Sequence, residues 1–355
     1  MPADASPTPA PEDVAPAIEA WFRAERRDLP WRPHDPEARR DPYACLVSEL
    51  MLQQTQVARV IDRYAAFMAR FPDVRSLARA DEADVLALWS GLGYYRRARL
   101  LHAAARAIVE RHDATFPDDP RLIQALPGVG RYTAGSIASM AFLARTPIVD
   151  GNVARVLLRL HADDASQTDP ETRRRLWTQA QELVDAAHHP GVLNEGLMEL
   201  GATRCTPRAP DCAACPVRAH CAALAQGRQH EIPTPKTPPK QQSLFCDVIR
   251  VRDARGRLLI ERRPDSGLWG GLYQAPTLEA SNRHARRPRL CAWIGADALV
   301  RAERFTHQTT HRLVRFRVWE AAPVRGMGAD RAWKSPRQIR ALALSSPQRR
   351  ILLPD

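Results

Sequence analysis

Four cysteines fall within seventeen residues, Cys205, Cys212, Cys215 and Cys221, spaced C-x6-C-x2-C-x5-C. Thiolates crowded this way can wrap one metal centre, either tetrahedral zinc or a [4Fe–4S] cluster, and spacing alone leaves the metal open. Chance clustering is the plain alternative, and the tight spacing disfavours it. The other three cysteines, Cys45, Cys246 and Cys291, are scattered and read as small core residues. Upstream, Leu126-Pro127-Gly128-Val129-Gly130-Arg131 precedes an apolar helical stretch, Tyr132 to Leu143. Its two glycines permit a tight turn that aims backbone N–H groups at an anion, just before a helix N-terminus. A plain helix–helix turn is the bland reading.

Two carboxyls stand out. Glu49 lies in a helical pattern whose apolar face includes Leu46, Leu50 and Val57, with Gln53 and Gln56 along the same edge. Bordering the core raises a carboxyl pKa, which suits a general acid. A salt-bridged structural glutamate is the alternative. Asp150 follows Pro147-Ile148-Val149 and opens a helical segment, Gly151 to Leu160. As an N-cap it is aimed and kept ionised, a structural role that does not exclude a chemical one.

These groups need elements to hold them. From Val14 to about Ala225 apolar residues recur at helical spacing, broken by short Pro/Gly/Asp signals. Four prolines between Pro233 and Pro239 then mark an extended linker. Beyond it the period becomes two: Val314, Phe316 and Val318 alternate with Arg315, Arg317 and Trp319, and Leu244 to Arg252 also reads as a strand. The expected organisation is a disordered leader over 1–14, an all-helical domain over 15–225, a linker over 226–243 and a smaller α+β domain over 244–355. No apolar run is long enough for a membrane span, and the Pro/Ala/Asp-rich start is no secretory signal. A cytoplasmic protein is expected.

Charge adds a partner. Residues 1–244 carry 30 basic and 30 acidic groups, so the whole net charge of +12 lies in 245–355. A basic C-terminal third points to a polyanion, nucleic acid first, although arginine-rich coding bias would also produce it. Of the 52 basic residues three are lysine: Lys236, Lys240 and Lys334.

The combination resembles the helix-hairpin-helix DNA glycosylases with an iron–sulfur loop, and within them the MutY-type adenine DNA glycosylases. The matching stretches are Leu29 to Arg32, Ser48 to Gln56, Gly91 to Tyr95, the hairpin, Asp150 to Val153 and the cysteine loop. The C-terminal part looks like the family's Nudix-like domain, through Gly267 to Tyr273 and Phe305-Thr306-His307. The resemblance implies an all-α helix-hairpin-helix module closed by a [4Fe–4S] loop, plus an α+β lesion-recognition domain. It implies removal of adenine mispaired with 8-oxoguanine or guanine in double-stranded DNA, by a monomer working at the nucleoid. Glu49 would protonate the adenine, and Asp150, supported by Asn152 and Tyr132, would stabilise the sugar cation, as paired carboxyls do in glycoside hydrolysis. Gln53, Gln54 and Thr55 would fill the gap left by the flipped base, and Tyr94 would insert beside the lesion. Trp31, Arg32, Leu52 and Glu195 would form the adenine pocket. Gly128, Gly130 and Arg131 would hold the backbone, joined by charge from Arg204, Arg208 and Arg218, and a loop carrying Phe305, Thr306 and His307 would read 8-oxoguanine.

Two exclusions sharpen this. In the related endonuclease III-type enzymes the position of Tyr132 is a lysine that forms a Schiff base, and the helical domain here contains no lysine. A monofunctional glycosylase is expected, not a lyase. The stretch after Gly271 lacks the carboxylate array of a Nudix hydrolase, having Glu279 and then the basic run Arg283 to Arg289. The C-terminal domain should recognise and not cut. A non-catalytic iron–sulfur DNA-binding protein is the remaining alternative, opposed by retention of both Glu49 and Asp150.

Overall fold

Capping chemistry sets most helix boundaries in the computed structural model, which describes residues 9–234, 241–322 and 330–354. In chain order come α1 (Pro11–Glu25), α2 (Pro42–Leu52), α3 (Val57–Arg70), α4 (Val74–Ala78), α5 (Glu82–Leu88) and α6 (Arg96–Arg111). They are followed by α7 (Pro120–Gln124), α8 (Arg131–Phe142), α9 (Gly151–Leu160), α10 (Pro170–Ala186), α11 (Pro190–Thr203) and α12 (Ala222–Ala225). Asp41, Asp119 and Asp169 cap α2, α7 and α10, each followed by a proline whose missing N–H needs no partner at a helix start. The same logic moves the first boundary. Pro11 opens α1 with Glu12 and Asp13 in its first turn, so the helix begins inside the stretch expected to be a leader. Residues 1–8 of that leader lie outside the described residues.

Among the described residues the chain divides into two compact units, Met1–Arg79 with Leu100–Lys236 and Ala80–Arg99 with Thr237–Asp355. In the first, α1, α9, α10 and α11 share a core that includes Ile18, Phe22, Leu157, Leu183 and Leu197. Ile232, expected in the linker, is buried in this core and its carbonyl accepts from Arg159 Nε at 2.7 Å. Residues 235–240, with three of the linker prolines and both early lysines, lie outside the described residues. One expectation about α2 fails. The helix stops at Leu52, Gln54 turns left-handed at φ 55°, and Gln56 becomes the N-cap of α3. Gln56 and Val57 therefore do not continue the helix edge that carries Glu49.

The second unit adds β1 (Gln242–Val251), β2 (Leu258–Arg262), β3 (Tyr273–Gln274), β4 (Thr277–Ala280), α13 (Arg287–Ile294), β5 (Val300–Gln308), β6 (Arg312–Ala321), β7 (Arg331–Lys334), α14 (Pro336–Arg340) and α15 (Ser346–Leu352). One sheet runs β4-β1-β6-β5, with β1 and β6 parallel and the other pairs antiparallel; the second runs β3-β2-β7. Val314, Phe316 and Val318 face a core shared with Val248, Ile260, Ile339 and Ile351, while Arg315 points outward, as the period of two requires. An all-helical module and a smaller α+β unit are thus both present.

Candidate active site

The hairpin comes first because it sets the direction of α8. Gly128 has φ 77°, and a Cβ there would lie 2.6 Å from Leu100 Cβ, so both backbone conformation and space demand glycine. Gly130 is different. Its φ of −91° and open surroundings suit other residues, and it serves as the uncapped N-cap of α8. Arg131 follows, exposed, its guanidinium 3.8 Å above the Trp177 ring.

The second residue of α8, Tyr132, is within reach of both carboxyls. Its hydroxyl hydrogen-bonds Glu49, and it feels the charges of Glu49, Asp150 and Glu195. Glu49 is 5% exposed on α2, and burial raises its carboxyl pKa against opposing contacts from the Ser136 and Tyr132 hydroxyls and the Arg40 charge. Asp150 caps α9. One carboxylate oxygen accepts from the backbone N–H of Asn152 at 2.9 Å and of Val153 at 2.7 Å, and the other accepts from Asn152 Nδ2 at 3.0 Å. Burial still raises its pKa, opposed by those three donors and by Arg155. Behind it, α11 approaches so closely that a Cβ at Gly201 would lie 2.7 Å from Asn152 Cβ.

Glu195 and Arg32, both expected in a base pocket, meet each other. Arg32 Nε donates to Glu195 at 2.9 Å and its Nη2 to Glu199 at 2.9 Å. Arg40, which sequence reasoning did not single out, is also buried and paired with Glu195. Trp31 is buried edge-on against Tyr64, and Leu52 is half-buried at the end of α2. In the turn that follows, Gln53 Nε2 donates to Thr133 at 3.4 Å, Gln54 is exposed and Thr55 is half-buried.

Two more arginines were missed. Arg155 and Arg159, i and i+4 on α9, are both buried. Arg155 donates to Asn152 Oδ1 at 3.0 Å, to Gly201 O at 2.6 Å and to Cys205 O at 2.7 Å. Arg159 donates to Cys205 Sγ at 3.3 Å and to Thr206 O at 2.8 Å, and the Cys221 thiol donates to the Arg159 carbonyl at 3.4 Å. The helix that carries the Asp150 cap thereby also anchors the cysteine loop. The only available signal was an arginine pair four residues apart upstream of a cysteine cluster. In that loop all four cysteines line one cavity, together with Arg159, although among the described residues no group of three His, Cys, Asp or Glu side chains is placed to hold a single metal ion. Burial pushes the Cys215 thiol up to about 11. Arg204 does not reach outward as expected: it pairs with Glu25 and Asp211, whereas Arg208 and Arg218 are exposed.

The second unit holds Tyr94 in a turn between α5 and α6, left-handed at φ 48° and 46% exposed. The Arg97 guanidinium lies 5.4 Å from its ring centre, and its hydroxyl meets that of Thr310. Tyr95 is core, donating to Leu344 O at 2.7 Å. Phe305, Thr306 and His307 do not form a loop; they lie within β5, paired with Phe316, Arg315 and Val314. Successive strand residues face opposite ways, so Phe305 stacks on Phe316 and His307 approaches Trp269 while Thr306 is exposed on the other face. The loop is one step on, at Thr309, Thr310 and His311.

Residues 47–182 match the HhH-GPD superfamily of base excision DNA repair proteins, and residues 248–353 match a NUDIX domain. The chain is 38% identical to the adenine DNA glycosylase of Mus musculus, over 85% of this chain and 69% of that protein. To the Homo sapiens adenine DNA glycosylase it is 35% identical, over 94% and 72%. A thermostable thymine-DNA glycosylase of known structure superposes with a TM-score of 0.54 at 26% identity, over 61% of this chain and 97% of that one. None of the helices described is long and apolar enough to cross a membrane. With the hairpin, the carboxyl pair and the relatives in agreement, the chain belongs to the adenine DNA glycosylase family of base excision DNA repair.

Proposed function

We propose that this protein, acting as a monomer, hydrolyses the N-glycosidic bond of adenine opposite 8-oxoguanine or guanine in duplex DNA, without cutting the strand. The observation that carries the proposal is a buried and a half-buried carboxyl whose charges both reach Tyr132, with unlike hydrogen-bond surroundings. A carboxyl raised by burial keeps its proton to a higher pH than a free one, and Glu49 delivers that proton to the departing base. A half-buried carboxylate fixed by three N–H donors needs no rearrangement when positive charge develops on the sugar, and Asp150 then gains what partial burial had withheld. Asn152 orients Asp150, and Tyr132 lies within reach of both carboxyls without the amine a lyase would need.

Access requires flipping the adenine. Trp31, Arg32, Leu52 and Glu195 line the receiving pocket, and the Gln53-Gln54-Thr55 turn fills the vacated stack. Tyr94, outward on a backbone conformation uncommon for a bulky residue, inserts beside the lesion. Its contact with Thr310 supports lesion reading by the β5–β6 turn, Thr309 to His311, with His307 behind that turn in β5. The Gly128-to-Arg131 hairpin, Arg208 and Arg218 contact phosphate. Cys205, Cys212, Cys215 and Cys221 fit a [4Fe–4S] cluster: they ring a space without converging on one point, and Arg159 donates to the first sulfur as an anionic thiolate requires. Bound by these four cysteines, such a cluster would tie the loop together and so hold Arg208 and Arg218 on its surface. The division of labour runs between residues 15–225 and 244–355, joined by 226–243. The test is one gel: duplexes with adenine opposite 8-oxoguanine should break only after alkali. Breaks without alkali would mean a lyase, and intact strands in both lanes a binding protein.

A further inference from the structure

Both hydroxyls that touch Glu49 have a methionine sulfur as a second neighbour. Tyr132 OH donates to Met198 Sδ at 2.9 Å, and Ser136 Oγ donates to Met140 Sδ at 3.5 Å. A hydroxyl has one proton, and a thioether can only accept. A proton committed to sulfur leaves an oxygen that presents lone pairs to the carboxyl. Around a protonated carboxyl that arrangement is satisfied, because the acid O–H finds an acceptor. Around a carboxylate it is frustrated, and both hydroxyls must abandon sulfur to turn towards it.

We propose that Met198 and Met140 are positioning residues for the proton-donating carboxyl: their sulfurs take the hydroxyl protons of Tyr132 and Ser136, so that Glu49 keeps its own. The inference rests on the role of Glu49 given above. It uses contacts between three helices, Glu49 on α2, Tyr132, Ser136 and Met140 on α8, and Met198 on α11. Left to themselves the Ser136 and Tyr132 hydroxyls favour the carboxylate, as does Arg40, and Glu195 opposes it; the sulfurs compete for the two hydroxyl protons and so weaken that pull, with Cys45 the remaining titratable neighbour. Met198 is half-buried beside the pocket, while Met140 and Ser136 are fully buried.

The experiment is single-turnover adenine excision by the full-length protein across pH, on duplexes with adenine opposite 8-oxoguanine. Met198→Leu keeps the volume and removes the acceptor, so Glu49 loses its proton at lower pH. The alkaline limb should move down by about half a unit to one unit, the size expected from one hydrogen bond. Excision above the limb should fall roughly three- to tenfold, while the acid plateau and DNA affinity stay put. Met198→Gln supplies an acceptor of similar length and should keep the original limb. Met140→Leu should shift it in the same direction by less, and decides the matter if Met198→Leu does not fold. An unmoved limb in both leucine variants, or an equal shift in Met198→Leu and Met198→Gln, overturns the role of sulfur. An active Glu49→Gln protein would instead overturn the assignment of Glu49 itself.

Discussion

Glu49 is buried and Asp150 half-buried; burial pushes both carboxyls upward in pKa and hydrogen-bonding neighbours oppose it in both, yet those neighbours differ in kind. Asp150 faces donors that cannot turn away: two backbone N–H groups of α9 and the Asn152 amide, itself held by Arg155. Glu49 faces hydroxyls, which can donate or accept, each with a sulfur to donate to. Fixed donors suit a group that must be an anion at the moment of reaction. Rotatable ones suit a group that must be an acid first and an anion afterwards. Burial alone would not tell the two roles apart.

Breaking that contrast at its strongest point means Asp150→Asn, which keeps a side-chain acceptor for the cap and removes the charge. Excision should fall by about three orders of magnitude or more, with mismatch binding by gel shift nearly unchanged. Parallel loss of binding and melting temperature would show the residue to be a cap and nothing else. Arg155→Met comes next, since it cuts the bonds from the Asp150–Asn152 pair to Cys205. A loss of roughly ten- to a hundredfold in excision is expected, together with reduced iron content, measured against protein concentration. Full iron with full activity would refute the link.

The pH response sharpens the comparison for the acid. Glu49 holds its proton in the folded protein to a higher pH than in the unfolded chain, so the folded state binds more protons between those two values. Its contribution to stability is complete below the ordinary carboxyl range and is lost as pH rises through the elevated value. Denaturant titrations should show this slope in the wild type and a flatter one in Glu49→Gln; identical slopes would place the carboxyl in water. The smallest effect is expected in the second unit. Thr310→Ala should lower affinity for adenine opposite 8-oxoguanine several-fold more than opposite guanine, at about 1 kcal/mol for one contact, whereas Thr306→Ala on the far face of β5 should change neither. Equal effects of the two would return lesion reading to the strand.

How much of this was legible in the sequence depends on the range of the force involved. The α9 boundaries and the Asp150 cap were read off correctly, because capping acts over three residues. The alternation of β6 emerged for the same reason. The end of α2 was misjudged because a left-handed Gln54 has no glycine to announce it. Phe305-Thr306-His307 looked like a loop through family likeness, and only the pairing with β6 assigns it to a strand. Arg155 and Arg159 were invisible, since their partners are backbone carbonyls some fifty residues away and carry no sequence signature.

The packing of residues 80–99 with the C-terminal segment around α15 has a consequence for how the chain is made. Tyr95 and Ser90 both hydrogen-bond the carbonyl of Leu344, and Arg349 donates to Ser90. Tyr95 leaves the ribosome 249 residues ahead of Leu344, which at ordinary synthesis rates is a wait of roughly 12 to 50 s. During that interval Ser90 and Tyr95 lack these bonds, and the segment is open to chaperones and proteases. A premature stop anywhere between Thr234 and Leu344 would then release a protein with both carboxyls intact and the Tyr94-Tyr95 turn unsupported. Such a product should be recognisable by cleavage near Gly91 to Tyr95 rather than by loss of the helical core.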